Sequence, residues 1–249
     1  MAKTGRNKVS LVSYSNGCFV SFAFLASQSE FALEHIDTLV AIAPAVYVNK
    51  FNLYLRLAAF LADLIPSDSP VFEDNVDSAM RALFAENCRD KLKRYTACKL
   101  FLDSLFGHSD AFQTFFELNI LDHIIRPPSA KSVRQLIQVA DSGNFGKFNE
   151  RIEGHLGGTG KRAEYNLTEV NLPRVFLFSG GRDSIADKES VGRLVDELGR
   201  KLVEHFKIED YNHLDMLAGW DVGAKLNAPV LQILDRRYLE SVGSERVKE

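Results

Sequence analysis

Three polar residues, each lying just beyond an apolar run, have types that could do covalent chemistry together: Ser15, Asp183 and His213. A serine hydroxyl is a weak nucleophile until an imidazole takes its proton, and the imidazole serves best when a carboxylate fixes its tautomer. The set is that of acyl transfer. His213 would take the Ser15 proton during attack on an ester carbonyl and return it to the leaving alcohol, while Asp183 stabilises the imidazolium. Of the remaining histidines, His35, His108, His123, His155 and His205, none follows a strand near a suitable acid, and His205 reads as a structural residue inside a strand. A metal site at His213 and Asp215 would need another convergent ligand, and none stands at a telling spacing, so no metal is expected.

The elements that must position these residues can be read from the apolar pattern. Val9, Leu11 and Val12 form a short buried strand, and a helix begins at about Gly17, which puts Ser15 at a strand-to-helix turn. Such a turn reverses the chain sharply and needs small residues two places to either side, which Ser13 and Gly17 supply. The helix beyond it offers unpaired N–H groups, and that of Asn16 is expected to face an oxyanion. The plain alternative is an ordinary strand–turn–helix corner. Ile36 to Ala45 reads as a second strand ended by Pro44, which makes a parallel βαβ unit.

The same alternation returns late in the chain. Pro173 to Ser179 is a strand followed by Gly180-Gly181-Arg182-Asp183, and a helix runs from Lys188 to about Arg200 with Asp187 as its N-cap. Val203 to Ile208 is a short strand, and His213 sits in the loop after it. Both loops lie at carboxyl ends of parallel strands, where open α/β sheets bind ligands. Pro229 to Tyr238 closes the chain as a helix, and Gly243 to Glu249 reads as a frayed charged tail.

Between these parts the strand signals stop. Leu53, Leu57, Phe60 or Leu61, and Leu64 recur at helical spacing, an aromatic-rich stretch runs from Phe101 to Leu118, and Ser129 to Ser142 is a helix ended by Gly143. Most of these aromatics are expected to be helix–helix core, with some lining an apolar acyl pocket. The expected division is 1–45 for the nucleophile turn, 46–149 for an inserted helical cap and 150–249 for the part carrying acid and base. Gly154 to Arg162 is not a phosphate loop, since Arg162 rather than Ser or Thr follows Lys161.

Composition narrows the function classes. The chain has 249 residues, 46% hydrophobic and 25% charged, with a net charge of -3 that does not suit a nucleic-acid partner. The apolar stretch from Leu57 to Ile65 contains Asp63 and is too short to span a bilayer. Met1 to Lys8 carries no secretory signal. Two of Cys18, Cys88 and Cys98 could pair in an oxidising compartment, although buried free thiols are the commoner arrangement. Asn166-Leu167-Thr168 is a glycosylation sequon, meaningful only in the secretory pathway.

Several of these segments resemble the acid lipases of the gastric and lysosomal type over about residues 8 to 238. Val12 to Gly17 is similar to that family's G-H-S-Q-G turn, Leu39 to Ala45 to its ALAPVA strand, and Ser132 to Phe145 to its TSVQ…QAVKSGKF segment. Ser179 to Asp187 is similar to GGNDWLAD, and Tyr211 to Asp215 to YNHLDF. The resemblance implies an α/β-hydrolase fold, Ser15, Asp183 and His213 as catalytic triad, long-chain acyl esters as substrates, no cofactor, lipid-surface association through the cap, and a secretory or lysosomal route. Departures are Ser13 for Gly, Tyr14 for His and Asn16 for Gln. Family members also carry a long N-terminal half before the turn, so the expectation is an incomplete chain of a lipase whose turn strand becomes an apolar exposed edge, with a short homologue of weak catalysis as the alternative. A carboxylesterase, an acyltransferase or a non-catalytic lipid-binding protein would use the same fold.

Overall fold

The computed structural model describes residues 5–48, 99–110, 130–149, 162–168, 171 and 173–246. Its centre is a parallel sheet of four strands in the order β1 (Val9–Tyr14), β2 (Ile36–Ile42), β3 (Arg174–Gly180), β4 (Leu202–Ile208). β2 and β3 are the apolar runs Ile-Asp-Thr-Leu-Val-Ala-Ile and Arg-Val-Phe-Leu-Phe-Ser-Gly. Such composition suits a strand with neighbours on both edges and helices on both faces.

Alternate residues of these two strands feed two cores, as the two-residue period of a strand requires. Leu39, Ala41, Val175 and Leu177 pack with Phe22 and Leu25 of α1 (Asn16–Ser27) and with Leu194 and Leu198 of α5 (Lys188–Leu198). Val40, Phe176 and Phe178 face the other way, onto Leu226 and onto Val230 and Ile233 of α7 (Ala228–Arg246). Between α1 and β2 lies the short α2 (Ser29–His35); α3 (Lys99–Phe106), α4 (Ala130–Ser142) and α6 (Asp215–Ala218) complete the described helices. The fork of Arg237 on α7 closes on Asp37 at the start of β2, with Nε–Oδ2 3.0 Å and Nη2–Oδ1 2.8 Å. The hydrogen bonds from Arg237 hold the Asp37 carboxyl below its ordinary value.

β1 is an edge of the described sheet, with Val9 38% and Val12 51% exposed, as expected for a turn strand without its neighbour and unlike the buried strand that its apolar pattern alone suggests. One expectation needs correction. The closing helix does not stop near Tyr238 but continues through Gly243 to Arg246, because one glycine costs an exposed helix only about 1 kcal/mol. Asp187 does cap α5, accepting from Ser190 N at 2.7 Å, and α4 ends at Gly143 as its sequence implies. The helix expected over Leu53 to Leu64, Cys88, Cys98 and most of Gly154 to Arg162 lie outside the described residues, as does much of the expected cap. Cys18 is a buried free thiol, and burial pushes it up to about 12.

Candidate active site

The three carboxyl ends of β1, β3 and β4 carry the three chemistry-bearing loops. Ser15 follows β1 directly and precedes the first residue of α1. Its backbone has φ 55° and ψ -123°, a region that costs a non-glycine residue roughly 1–3 kcal/mol. The backbone holds it there: Ser15 N–H donates to the Ile42 carbonyl at 2.9 Å, and the Ser15 carbonyl accepts from Cys18 N at 2.9 Å. Ser13 fits the turn, since a Cβ built on Gly17 would lie 3.8 Å from the Ser13 Cβ, an ordinary contact. Serine is a favoured N-cap, yet Ser15 makes no side-chain cap bond, which leaves its hydroxyl for another partner.

That partner is His213. Ser15 Oγ lies 2.7 Å from His213 Nε2, and His213 Nδ1 lies 2.8 Å from Asp183 Oδ2. A carboxylate can only accept, so Nδ1 carries the proton and the Nε2 lone pair faces the hydroxyl. The other Asp183 oxygen accepts from Ile185 N and Ala186 N, both at 2.8 Å, which fixes the carboxylate plane. The structure thus brings Ser15, His213 and Asp183 into one hydrogen-bonded line. Asn16 is the first residue of α1, so its N–H has no acceptor within the helix and lies beside the nucleophile.

The acid and base loops pass close to each other at a glycine. A Cβ on Gly180 would sit 2.4 Å from the Tyr211 carbonyl oxygen, so the two loops can approach only because this residue has none. Arg182 N then donates to that carbonyl at 2.9 Å. His205 lies within β4 with its Nε2 2.7 Å from Ser179 Oγ, and partial desolvation with the nearby Lys207 charge keeps its pKa below the ordinary value. Asp215 is committed to structure, with Oδ2 accepting from Asn212 N at 2.9 Å and Oδ1 from Ser109 Oγ at 2.6 Å; burial pushes its carboxyl up.

Sequence reasoning missed the end of α3 and the turn that follows it. Phe106 O accepts from His213 N at 3.1 Å, Gly107 O accepts from Asn212 Nδ2 at 2.7 Å, and Leu105 O accepts from Ser184 Oγ at 2.8 Å. Gly107 has φ 93°, and a Cβ there would lie 1.8 Å from the Arg182 oxygen. The only local signal was Phe-Gly-His-Ser at a helix end, which marks a turn and not its partners. Tyr14 was singled out only as a departure from the family turn, and it donates to the His213 carbonyl at 2.8 Å.

Along α1 a groove of about 510 Å³ starts beside Asn16 and runs past Phe19, Val20 and Phe24, with Gln135 of α4 and Phe148 among its other lining residues. Among the described residues no helix is long and apolar enough to cross a membrane.

The parallel sheet, the strained serine turn and the chain order Ser, Asp, His together define an α/β-hydrolase fold. Within that class, the acid-lipase resemblance of the motifs extends to comparisons over nearly the whole chain. It is 26% identical over 247 residues to a gastric triacylglycerol lipase of Bos taurus, covering 94% of this chain and 59% of the relative. It is 25% identical over 243 residues to Lipase 1 of Drosophila melanogaster, covering 94% and 53%. The chain therefore spans a little over half the length of these curated relatives. A solved esterase from Exiguobacterium antarcticum overlays with a TM-score of 0.48 at 13% identity, covering 94% of this chain and 69% of that one. No family model matches the chain.

Proposed function

We propose that this chain carries the nucleophile, acid and base of a serine ester hydrolase of the lipase type. The observation that carries the reading is the hydrogen-bonded line Ser15–His213–Asp183 on a strained strand-to-helix turn. In the proposed reaction Ser15 Oγ attacks the ester carbonyl while His213 Nε2 takes its proton. The negative oxygen of the tetrahedral intermediate faces the Asn16 N–H at the start of α1. The protonated imidazole gives its proton to the departing alcohol, and water then enters by the same base to release the acid and restore Ser15. No cofactor is required.

Long-chain acyl esters, such as acylglycerols or steryl esters, are the proposed substrates. Lipases among the curated relatives support this choice, and so does the groove, whose Phe19, Val20, Phe24 and Phe148 offer an apolar wall that begins next to Asn16. Residues 46–149 would form the cap over the acyl group and the part that meets a lipid surface.

The test is labelling of the purified chain with a fluorophosphonate, beside a version extended upstream and a Ser15→Ala control. Labelling that depends on Ser15 in either form is the expected result. An unlabelled serine in both forms, with the fold intact by circular dichroism, would leave a lipid-binding protein that keeps the hydrolase architecture without its chemistry.

A further inference from the structure

We infer that Tyr14 is a positioning residue that sets the imidazole of His213, an inference that rests on the triad reading above. Its hydroxyl donates to the His213 carbonyl at 2.8 Å, and its ring centroid lies 5.2 Å from that of the imidazole, tilted by 38°. Two consecutive residues of one strained turn therefore reach the same histidine at two points. Tyr14 holds its main chain, and Ser15 meets its ring at Nε2.

The mechanical consequence follows from what each bond leaves free. An imidazole tied only through Nδ1 to Asp183 can pivot about that bond and carry Nε2 away from Ser15. Fixing the carbonyl of the same residue steadies the main chain from which the ring hangs, and Phe106, stacked at 6.2 Å and 14°, flanks the ring itself. Because the hydroxyl comes from residue 14, any shift of the nucleophile turn drags the base with it. Burial pushes the phenol well above its ordinary value, so the group stays a neutral donor. In the resembling turn this position is His, whose ring ends short of where the phenolic oxygen of a tyrosine reaches. The two-point hold is thus tied to a residue in which this chain departs from that pattern.

A merely structural tyrosine would satisfy a buried carbonyl and do nothing to the base. Tyr14→Phe separates the two roles, since it keeps the ring and removes only the donor. The rate of fluorophosphonate modification per titratable Ser15 should fall about tenfold, the size of one lost hydrogen bond. KM for a short p-nitrophenyl ester should stay near its wild-type value while kcat falls. The proton on His213 Nδ1, followed by NMR, should broaden through faster exchange. A wild-type rate per titratable serine together with an unchanged Nδ1 proton would overturn the inference, as would a loss that only tracks the unfolded fraction. Should the wild type itself fail to label, the hydrolase reading fails, and the Nδ1 proton alone decides on Tyr14: broadening in the variant supports the hold, and an unchanged signal overturns it. If Tyr14→Phe does not fold, 3-fluorotyrosine at position 14 keeps the bond with a more acidic donor. A displaced Nδ1 proton resonance is then expected, and an undisplaced one overturns the inference.

Discussion

The proposed base and acid of the site are held differently from the proposed nucleophile. Asp183 and His213 sit where three segments interlock through side chains: Ser184 to Leu105, Asn212 to Gly107 and Ser109 to Asp215, all at 2.6 to 2.8 Å. Ser15 sits on an edge strand and takes its place from backbone strain and from backbone bonds to the end of β2. The first half is cross-linked by several side-chain bonds; the second depends on a few bonds that hold one residue at φ 55°. A catalytic line can thus join a rigid, side-chain-built half to a strained, main-chain-built one.

The comparison can be broken most sharply at the acid. Asp183→Asn should keep the fold but lose activity by a factor on the order of 10⁴, read as ester hydrolysis per folded molecule, because the imidazole would take the wrong tautomer. Equal activity in that variant would mean that another carboxylate orients His213. Next comes Gly107→Ala, where the added Cβ meets the Arg182 oxygen at 1.8 Å and the φ of 93° adds roughly 1–3 kcal/mol of strain. A lowered Tm with lost Ser15 labelling is expected. Retention of both would show that the interlock is looser than its distances suggest.

A gentler probe lies at the other end of the sheet. The Asp37 carboxyl is held down chiefly by the hydrogen bonds from Arg237, so its folded value lies below its unfolded one, near 3.9. Its contribution is present above about pH 4 and is lost as pH falls through the folded value. Thermal melts at falling pH should show that loss, and Asp37→Asn should remove this part of the slope. The smallest effect belongs to the edge. Val12→Thr should change stability by no more than about 0.5 kcal/mol. It should also slow aggregation measured by light scattering, since an exposed apolar edge strand invites pairing.

Much of this was legible beforehand because it is local. β2 and β3 are apolar runs bounded by turn residues, the Asp187 cap lies within the first turn of its own helix, and Ser15, Asp183 and His213 each follow such a run. The exposure of β1 was legible only from the absent neighbour and not from Val-Ser-Leu-Val itself, which reads the same at an edge as at a centre. The helical tail was misjudged because Gly243 was weighed without the turns before it. The contacts of Tyr14 and Gly107 were invisible for a different reason: their partners are 199 and 105 residues away, and neither spacing leaves a periodic trace.

The same separation governs how the chain comes into being. Ser15 and His213 are 198 positions apart, and β2 must pair with a strand that begins only at residue 174. At a synthesis rate of about 5–20 residues per second, the serine leaves the ribosome roughly 10–40 s before its base. During that interval β1, α1 and β2 can form a local unit, but neither the charge line nor the second edge of β2 exists. The hydrogen-bonded line is therefore a late product of synthesis, complete only once residue 213 has followed residue 15 out of the ribosome.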